Sequence, residues 1–376
     1  MKRTTFLGVV LVTTLFFIYF LAKEPKTTAI EEEKPEVRGM FMSYIDLENH
    51  FDNQSEEFVK NEIDQFVSNL QNDQFNLLIL QVRSHMDAIY PSSLFPKASY
   101  LEKIDFSRFD SFSYLLTKCH ELSIQVFAWM NPYRIGKKTV EEISRYPYYS
   151  FVSDCIYKVG ENLYLNPARE EVTNLLLEGI REVLQYPVDG ILFDDYFYPS
   201  MDIDQKEFEL SGMNDVTEFH LRVINDMMSQ VYSLVHSYEK VFGVSSSGNI
   251  ENNYSTIGAD VFTWVKETGY VDFLMPQIYY GFQNESKPFI DTVNEWNELI
   301  TNEQVSLYIA LALYKENMID EYAGTGNMEW VENADILKRQ VILSRNLSHY
   351  NGFSIFRYDN AYQNHSSEFA HLKEIF

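Results

Sequence analysis

The stretch that decides the fold is VDGILFDDYFYP, residues 188–199. Its apolar run ILF (191–193) follows an Asp-Gly pair and is followed by two adjacent carboxylates, Asp194 and Asp195. Strands of a parallel sheet are covered on both faces, so they form continuous apolar runs of this kind rather than alternating patterns. The stretch therefore predicts a buried strand with two carboxylates at its carboxyl end.

Seven further runs have a similar length and composition. They are RGMFMSYID (38–46), FNLLILQVR (75–83), SIQVFAWMN (123–131), VFGVSSSG (241–248), DFLMPQIYY (272–280), VSLYIALALY (305–314) and GFSIFRYD (352–359). Segments with the helical apolar period lie between them, most clearly over residues 56–72. This alternation predicts a (β/α)8 TIM barrel with enlarged loops after strands 3 and 4, over 132–188 and 196–240. An open doubly wound sheet is the alternative, but no G-x-G-x-x-G follows the first strand.

Composition excludes some partners and cofactors. The 376 residues include 55 Asp and Glu and 30 Lys and Arg, which gives a formal net charge of −25. Such a chain repels phosphate backbones, so we predict no nucleic-acid partner. The two cysteines lack C-x-x-C spacing and the eight histidines form no H-E-x-x-H motif, so we predict no metal and no cofactor. Aromatic residues, at 15 %, are numerous enough to fill a core and also to line a cleft.

The amino terminus predicts a location. Lys2 and Arg3 open an otherwise uncharged apolar stretch that ends at residue 22. Residues 1–22 are therefore predicted to be an N-terminal membrane anchor or a signal peptide. Residues 23–37 are polar and predict a flexible linker, and residues 38–376 form the predicted barrel. Positive charge before the apolar run places the barrel outside the cytoplasm, with membrane contact through the amino-terminal segment only.

Polar side chains collect at the carboxyl ends of most predicted strands. In a TIM barrel these ends meet on one face, which carries the active site. The candidate substrate-binding residues there are Arg83, His85, Asp87, Trp129, Asn131, Arg134, Tyr196, Gln277, Tyr279 and Tyr280. The candidate carboxylates there are Asp46, Asp194, Asp195 and Asp359. Packing alone does not explain so many polar ends on one face, so they predict a site.

Strand parity singles out Asp194. Side chains alternate along a strand, so Leu192 and Asp194 share one face while Ile191 and Phe193 share the other. The bulky pair suits the helix-facing side, which turns Asp194 toward the barrel axis. Asp195 turns toward the same cleft if the chain bends there; capping a helix is its alternative role. Two such carboxylates are suited to acid, base or nucleophile roles, or to metal binding.

Five ordered segments carry a family resemblance. They are QVRSHMDAIYPSSLFP, VFAWMNPYR, YLNPAREEV, VDGILFDDYFYP and DFLMPQIYYGF, and they are similar to the glycosyl hydrolase-like 10 family (the DUF187 group). The resemblance implies a TIM barrel with glycoside hydrolase activity, often on bacterial cell-wall glycans, and active-site roles for Asp194 and Asp195. It also implies that the sugar-binding cleft is lined by Arg83, Asp87, Trp129, Asn131, Tyr196, Gln277 and Tyr279. One departure is VSSSGN (244–249), where similar proteins tend to have a bulkier S-P-F-G-type stretch.

The residue types fit sugar chemistry. Aromatic faces stack on sugar C–H surfaces, and planar amide, carboxylate and guanidinium groups bond vicinal hydroxyls. Glycoside cleavage normally uses two carboxyl groups, one protonated and one ionised. Asp194 is the predicted ionised group, whereas the acid stays open among Asp195, Asp46, Asp87 and Asp359. A chitinase-like catalytic Glu does not carry over, because Tyr196 occupies its place.

We therefore predict an extracytoplasmic glycoside hydrolase that acts on a polysaccharide, with peptidoglycan-type glycan strands as the expected substrate. Two alternatives remain open at this point. One is a carbohydrate-binding pseudoenzyme of the same fold, because the acid is unassigned. The other is a metal-dependent hydrolase that uses the same aspartate pair.

Overall fold

The barrel prediction is confirmed. The computed structural model describes residues 35–363 and 365–376, in which eight parallel strands close into a barrel. We number them β1 (Val37–Met42), β2 (Leu77–Arg83), β3 (Gln125–Met130), β4 (Gly190–Phe193), β5 (Val241–Val244), β6 (Phe273–Leu274), β7 (Ser306–Ala312) and β8 (Tyr350–Phe356). Each strand pairs with its sequence neighbour, and β1 pairs with β8 to close the ring.

Helices cover the outside of the barrel. The longer ones are Tyr44–Phe51, Glu56–Asn72, Ser111–Glu121, Glu170–Val183, Gln205–Ser211, Val216–His236, Phe289–Leu299, Ile336–Ser344 and Ser367–Lys373. Short ones are Val140–Ile143, Tyr149–Val152, Ile250–Ser255, Val261–Trp264, Glu329–Glu332 and Tyr358–Tyr362. The helix over 56–72 has the predicted bounds, because Ser55 caps its first turn by accepting the N–H of Phe58.

Four predicted strands, β1, β5, β6 and β8, end three or more residues earlier than expected. β1 stops at Met42, and a capping box between Ser43 and Asp46 starts a helix inside the predicted run. Asp46 therefore lies in the first turn of a helix and not at a strand end. β8 stops at Phe356, so Asp359 is also helical. β6 is only two residues long, since Pro276 follows it and has no N–H to donate to a ladder.

The enlarged loop after β3 contains a structure that the sequence did not predict. Three short strands, Arg134–Gly136, Ile156–Val159 and Asn162–Leu165, form an antiparallel sheet with Asn162–Leu165 in the middle. Each spans only three or four residues, too few for a periodicity signal. The sheet begins soon after β3 ends, which keeps Arg134 close to the barrel mouth.

Two apolar clusters support the strands. The cluster inside the barrel contains Phe41, Leu77, Ile79, Phe127, Trp129, Leu192, Phe273, Met275 and Ala310. The larger cluster lies between strands and helices and includes Ile191 and Phe193. The parity predicted for β4 is therefore correct. Asp194, two residues after the inward Leu192, follows on the inner side at the mouth.

The amino-terminal prediction falls mostly outside the described residues. This applies to the anchor or signal peptide over 1–22 and to the linker up to residue 34. β1 begins at Val37, one residue before the predicted start of the barrel. Just before it, Glu36 bonds Arg345 at 2.7 Å and Tyr350 at 2.8 Å. Within the described part of the chain, no helix combines the length and apolarity that a membrane span requires.

Candidate active site

Asp194 lies at the floor of the barrel mouth. Its side chain is almost completely buried, and its Oδ2 accepts hydrogen bonds from Trp129 Nε1 at 2.9 Å and Asn131 Nδ2 at 2.5 Å. Its Oδ1 accepts the backbone N–H of Tyr196 at 3.2 Å. Three donors therefore hold the carboxyl group in one orientation. Two of them come from the end of β3, the strand that pairs with β4.

A chain of amide groups orients the donor Asn131. The Oδ1 of Asn131 accepts from Gln81 Nε2 at 2.6 Å and from Arg134 Nη2 at 3.3 Å. Gln81 Oε1 in turn accepts the backbone N–H of Tyr44 at 2.9 Å. Because each amide oxygen faces a donor, the NH2 group of Asn131 must point toward Asp194. Gln81 was not among the predicted site residues, although it lies on the inward face of β2.

Asp195 turns into the same mouth. Its Oδ1 accepts from Gln277 Nε2 at 3.1 Å, and that nitrogen also donates to the carbonyl of Ser245 at 3.0 Å. The next helix of the chain begins only at Gln205, with Asp204 as its N-cap, so Asp195 does not cap it. The side chain of Asp195 is partly exposed, unlike that of Asp194. The two carboxyl groups thus differ in their access to solvent.

The pKa of each aspartate in the pair is raised above its ordinary value. Burial, reinforced by the negative charge of Asp195, raises the pKa of Asp194 to about 7, although Arg134 and the N–H donors oppose the rise. Burial also raises the pKa of Asp195, and the hydrogen bond from Gln277 opposes that rise. The sequence predicted Asp194 as the ionised member. Its nearly complete burial instead makes Asp194 the harder of the two to ionise.

Two adjoining cavities open above the pair. The first, of about 300 Å³, is lined by Phe41, Ser43, Tyr44, Ile45, Gln81, Trp129, Arg134, Asp194, Asp195, Tyr196, Ser245, Gln277, Tyr279, Tyr314 and Phe356. The second, of about 350 Å³, is lined by Asp195, Ser247, Gly248, Asn249, Gln277, Tyr279, Tyr280, Asn284, Ser286, Lys287, Lys315, Asp320 and Tyr322. Asp195, Gln277 and Tyr279 line both, so the cavities meet at Asp195.

Most of the predicted site residues meet at this mouth. Those that line a cavity are Trp129, Arg134, Asp194, Asp195, Tyr196, Gln277, Tyr279 and Tyr280. Asn131 is fully buried and acts through Asp194 instead of facing the cavity. Arg134 lies 4.9 Å from the ring centre of Tyr196, whose side chain is half exposed. This cation–π contact holds an aromatic face at the rim.

Three predicted sugar contacts lie elsewhere. The register of β2 shifts between Gln81 and Arg83, so Arg83 leaves the inward face and packs over Phe95 at 4.7 Å. Asp87 closes its own loop by accepting the backbone N–H of His85 at 3.0 Å. His85 packs edge-on against Tyr44 at 4.8 Å, and burial lowers the pKa of His85 to about 4. None of the three lines either cavity.

The rival acids Asp46 and Asp359 are engaged in a separate network. Asp46 is fully buried and accepts from Arg357 Nη1 at 2.5 Å and from the backbone N–H of Asp359 at 2.9 Å. Asp359 accepts from Asn49 at 2.7 Å and contacts His50 Nε2 at 3.0 Å. These bonds join the loops after β1 and β8. Neither carboxyl group lines a cavity, so neither is placed to act on a ligand there.

Several cavity residues were absent from the sequence prediction. They include Phe41, Tyr44, Gln81, Tyr314 and Phe356 in the first cavity and Asn249, Asn284, Lys315, Asp320 and Tyr322 in the second. The sequence does indicate two of them, Tyr314 and Lys315, because they come just after the apolar run of β7. Among the described residues, no group of three or more His, Cys, Asp or Glu side chains is arranged to hold a metal ion.

Two proteins named as glycosyl hydrolases are similar to this chain in sequence. Glycosyl hydrolase YngK of Bacillus subtilis (strain 168) is 26% identical over 328 residues, which cover 79% of this chain and 63% of the relative. Glycosyl hydrolase DigH of Escherichia coli (strain K12) is 27% identical over 331 residues, which cover 78% and 74% of the two chains. This chain thus spans slightly less than two thirds of the first relative.

A solved structure shares the fold. The glycoside hydrolase domain of PgaB (BpsB) from Bordetella bronchiseptica superposes with a TM-score of 0.63 at 13% identity, covering 89% of this chain and 97% of that domain. The family model described as Glycosyl hydrolase-like 10 matches residues 36–325, which include seven of the eight barrel strands and both aspartates. The chain therefore belongs to the glycosyl hydrolase-like 10 family.

Proposed function

We propose that this protein is an extracytoplasmic glycoside hydrolase that cleaves cell-wall glycan strands of the peptidoglycan type. The observation that carries the proposal is the aspartate pair at the meeting point of two cavities with aromatic walls. Ring faces and planar polar groups are the features that bind sugars, and a carboxyl pair is what their hydrolysis uses. The choice of cell-wall glycan rests on the family resemblance.

The pair supplies the acid–base chemistry. Near neutral pH one proton remains on the pair, because the pKa of Asp194 is raised to about 7. In the reaction this proton passes to the glycosidic oxygen as the bond between that oxygen and the anomeric carbon breaks. Water adds its oxygen to the anomeric carbon and returns one proton to the pair. Asp194 carries the proton, and the ionised Asp195 faces the substrate from both cavities.

The surrounding residues bind and orient the sugar. Tyr196 presents a half-exposed ring whose orientation Arg134 maintains, and Tyr279 lies between the two cavities. Trp129 donates to Asp194 while its ring faces the first cavity, so it links sugar binding to the acid. Gln277 fixes Asp195.

The predicted location completes the proposal. Lys2, Arg3 and the apolar run that follows support an uncleaved anchor or a cleaved signal peptide, either of which delivers the barrel outside the cytoplasm. Membrane fractionation of the full chain tests this part. Recovery of the intact chain from the cytosolic fraction would contradict it.

The activity test is the release of reducing ends by the purified protein from isolated glycan strands with and without stem peptides. Cellulose and amylose serve as comparison polymers, and each reaction is repeated with a chelator. We expect release from the cell-wall strands, unaffected by chelation. Binding of the strands without any release would instead support a carbohydrate-binding role, and release only from the comparison polymers would contradict the proposed substrate.

A further inference from the structure

The second cavity has a wall of its own, built from the loops after β6 and β7. The N–H of Glu285 donates to the carbonyl of Ala323 at 3.1 Å, and the N–H of Thr325 donates to the Glu285 carboxylate at 3.2 Å. Lys315 Nζ bonds Asp320 Oδ2 at 2.7 Å across the second of these loops. The two loops are thus joined by hydrogen bonds, and together they form one wall of the second cavity at the barrel mouth.

Small residues after β5 keep this cavity open on its other side. A Cβ on Gly248 would lie 2.3 Å from the carbonyl oxygen of Gln277, so only glycine allows the β5 and β6 loops to approach this closely. Gly248 belongs to the stretch VSSSGN (244–249), which begins at the last residue of β5. Ser247, Gly248 and Asn249 all line the second cavity. These three residues therefore shape this side of the cavity.

An exposed aromatic ring stands at the rim. Tyr322 is 88% exposed, the highest value among the large hydrophobic residues of the described chain, yet it lines the second cavity. Its backbone N–H lies 3.4 Å from Asp320 Oδ1, so the Lys315–Asp320 pair also orients the segment that carries the ring. Tyr196 occupies the corresponding place at the first cavity, half exposed at the rim. Each cavity thus combines a polar floor with one accessible aromatic face.

We propose that the second cavity binds the sugar units on the far side of the cleaved bond, so that the enzyme cuts within glycan chains. This inference rests on the proposed function. Asp195 lies where the cavities meet, and a chain that fills both must cross Asp195 with sugar on each side. Each cavity, at about 300 and 350 Å³, lies within the size range of small-ligand pockets. Tyr196 and Tyr322 are exposed at the rims of the two cavities, so each cavity is open to solvent there and a glycan chain can continue beyond both.

The first measurement is binding without turnover. In an Asp194→Asn background, whose kcat is expected to fall by a factor of about 100 or more, calorimetry with N-acetylglucosamine oligomers of increasing length is expected to show affinity that rises until both cavities are filled. Tyr322→Ala should weaken binding of the long oligomers by about 3- to 10-fold, the range for one aromatic stacking contact, and leave the shortest oligomer unaffected. Tyr322→Phe should retain the long-oligomer affinity. Phe151→Ala, which removes a 58% exposed ring that lines neither cavity, is the matched control.

The second measurement is the length distribution of the products that the wild-type enzyme releases from long glycan strands. Early products of many intermediate lengths are expected, whereas a steady release of one short product would overturn the inference. It would also be overturned if Tyr322→Ala bound every oligomer as tightly as the parent. Wild-type protein that neither binds nor cleaves any glycan would refute the proposed function itself, and the inference with it.

Discussion

Replacing Asp194 by asparagine is the sharpest test of the catalytic assignment. The change keeps the shape of the side chain and removes its proton-donating carboxyl group. A positioned acid–base group contributes about 10²- to 10⁴-fold to the rate, which corresponds to about 3–5 kcal/mol of barrier. We therefore expect the kcat of Asp194→Asn to be lower than that of the wild type by a factor of about 100 or more.

The fold should survive this change. With its oxygen in the place of Oδ2, the new amide still accepts from Trp129 and Asn131. Its NH2 group then faces the N–H of Tyr196, and the 3.2 Å bond at that position is lost. Such a loss costs about 1–3 kcal/mol, and removing a carboxyl group whose ionisation is opposed by burial offsets part of it. Denaturant unfolding should accordingly show a free energy of unfolding within about 2 kcal/mol of wild type.

Initial rates of reducing-end release, measured beside the unfolding curve, separate the two effects. Asp87→Asn is the control, because Asp87 is a partly buried carboxylate after β2 that lines neither cavity. Its rate should stay near that of wild type. If folded Asp194→Asn retained most of the wild-type rate, the assignment would be wrong, and Asp195 would become the first candidate for the catalytic carboxyl group.

Three further predictions follow from the same geometry. The kcat/KM of the wild type should fall as pH rises through about 7, because the proton held by Asp194 is lost. Asp195→Asn should lower the pH at which kcat/KM falls, because it removes a negative charge that raises the pKa of Asp194. Gln81→Leu should lower kcat by about 10- to 100-fold with little change in KM, because Asn131 loses the hydrogen bond that directs its NH2 group at Asp194. The decrease of kcat/KM with pH should then occur at higher pH, and an unchanged pH profile would count against this. Glu368→Ala should lower the free energy of unfolding by about 1–3 kcal/mol in denaturant titration, since the fully buried Glu368 accepts two backbone N–H groups at the start of the helix Ile336–Ser344.

The features of the fold that depend on local pattern were predictable. The pattern of apolar residues along the sequence indicates parallel strands and amphipathic helices, and it predicted all eight barrel strands. The inward direction of Asp194 followed from parity, since Leu192 lies inside the barrel and Ile191 outside it. Period and parity were sufficient because nothing interrupts β4.

The errors arose where a local event broke the period. A register shift in β2 turned Arg83 away from the cleft, and such a shift leaves no mark in an apolar run. Asp46 was assigned to a strand end because its run is apolar, but the Ser43–Asp46 capping box had already begun a helix. The second cavity depends on loops distant in sequence, so residues such as Tyr322 carried no signal. The charge state of Asp194 depends on burial, which the sequence does not state.

The packing of Arg83 links two positions that lie far apart in the chain. A Cβ on Gly179, in the helix Glu170–Val183, would lie within van der Waals overlap of the Arg83 guanidinium and 2.8 Å from the Phe95 ring. Alanine at this helical position would ordinarily stabilise the helix by about 1 kcal/mol, but here the clash reverses the sign. A shorter residue at position 83 would remove part of the clash. In the evolution of this barrel, positions 83 and 179 are therefore expected to change together, and a double-mutant cycle should give a coupling energy well above zero.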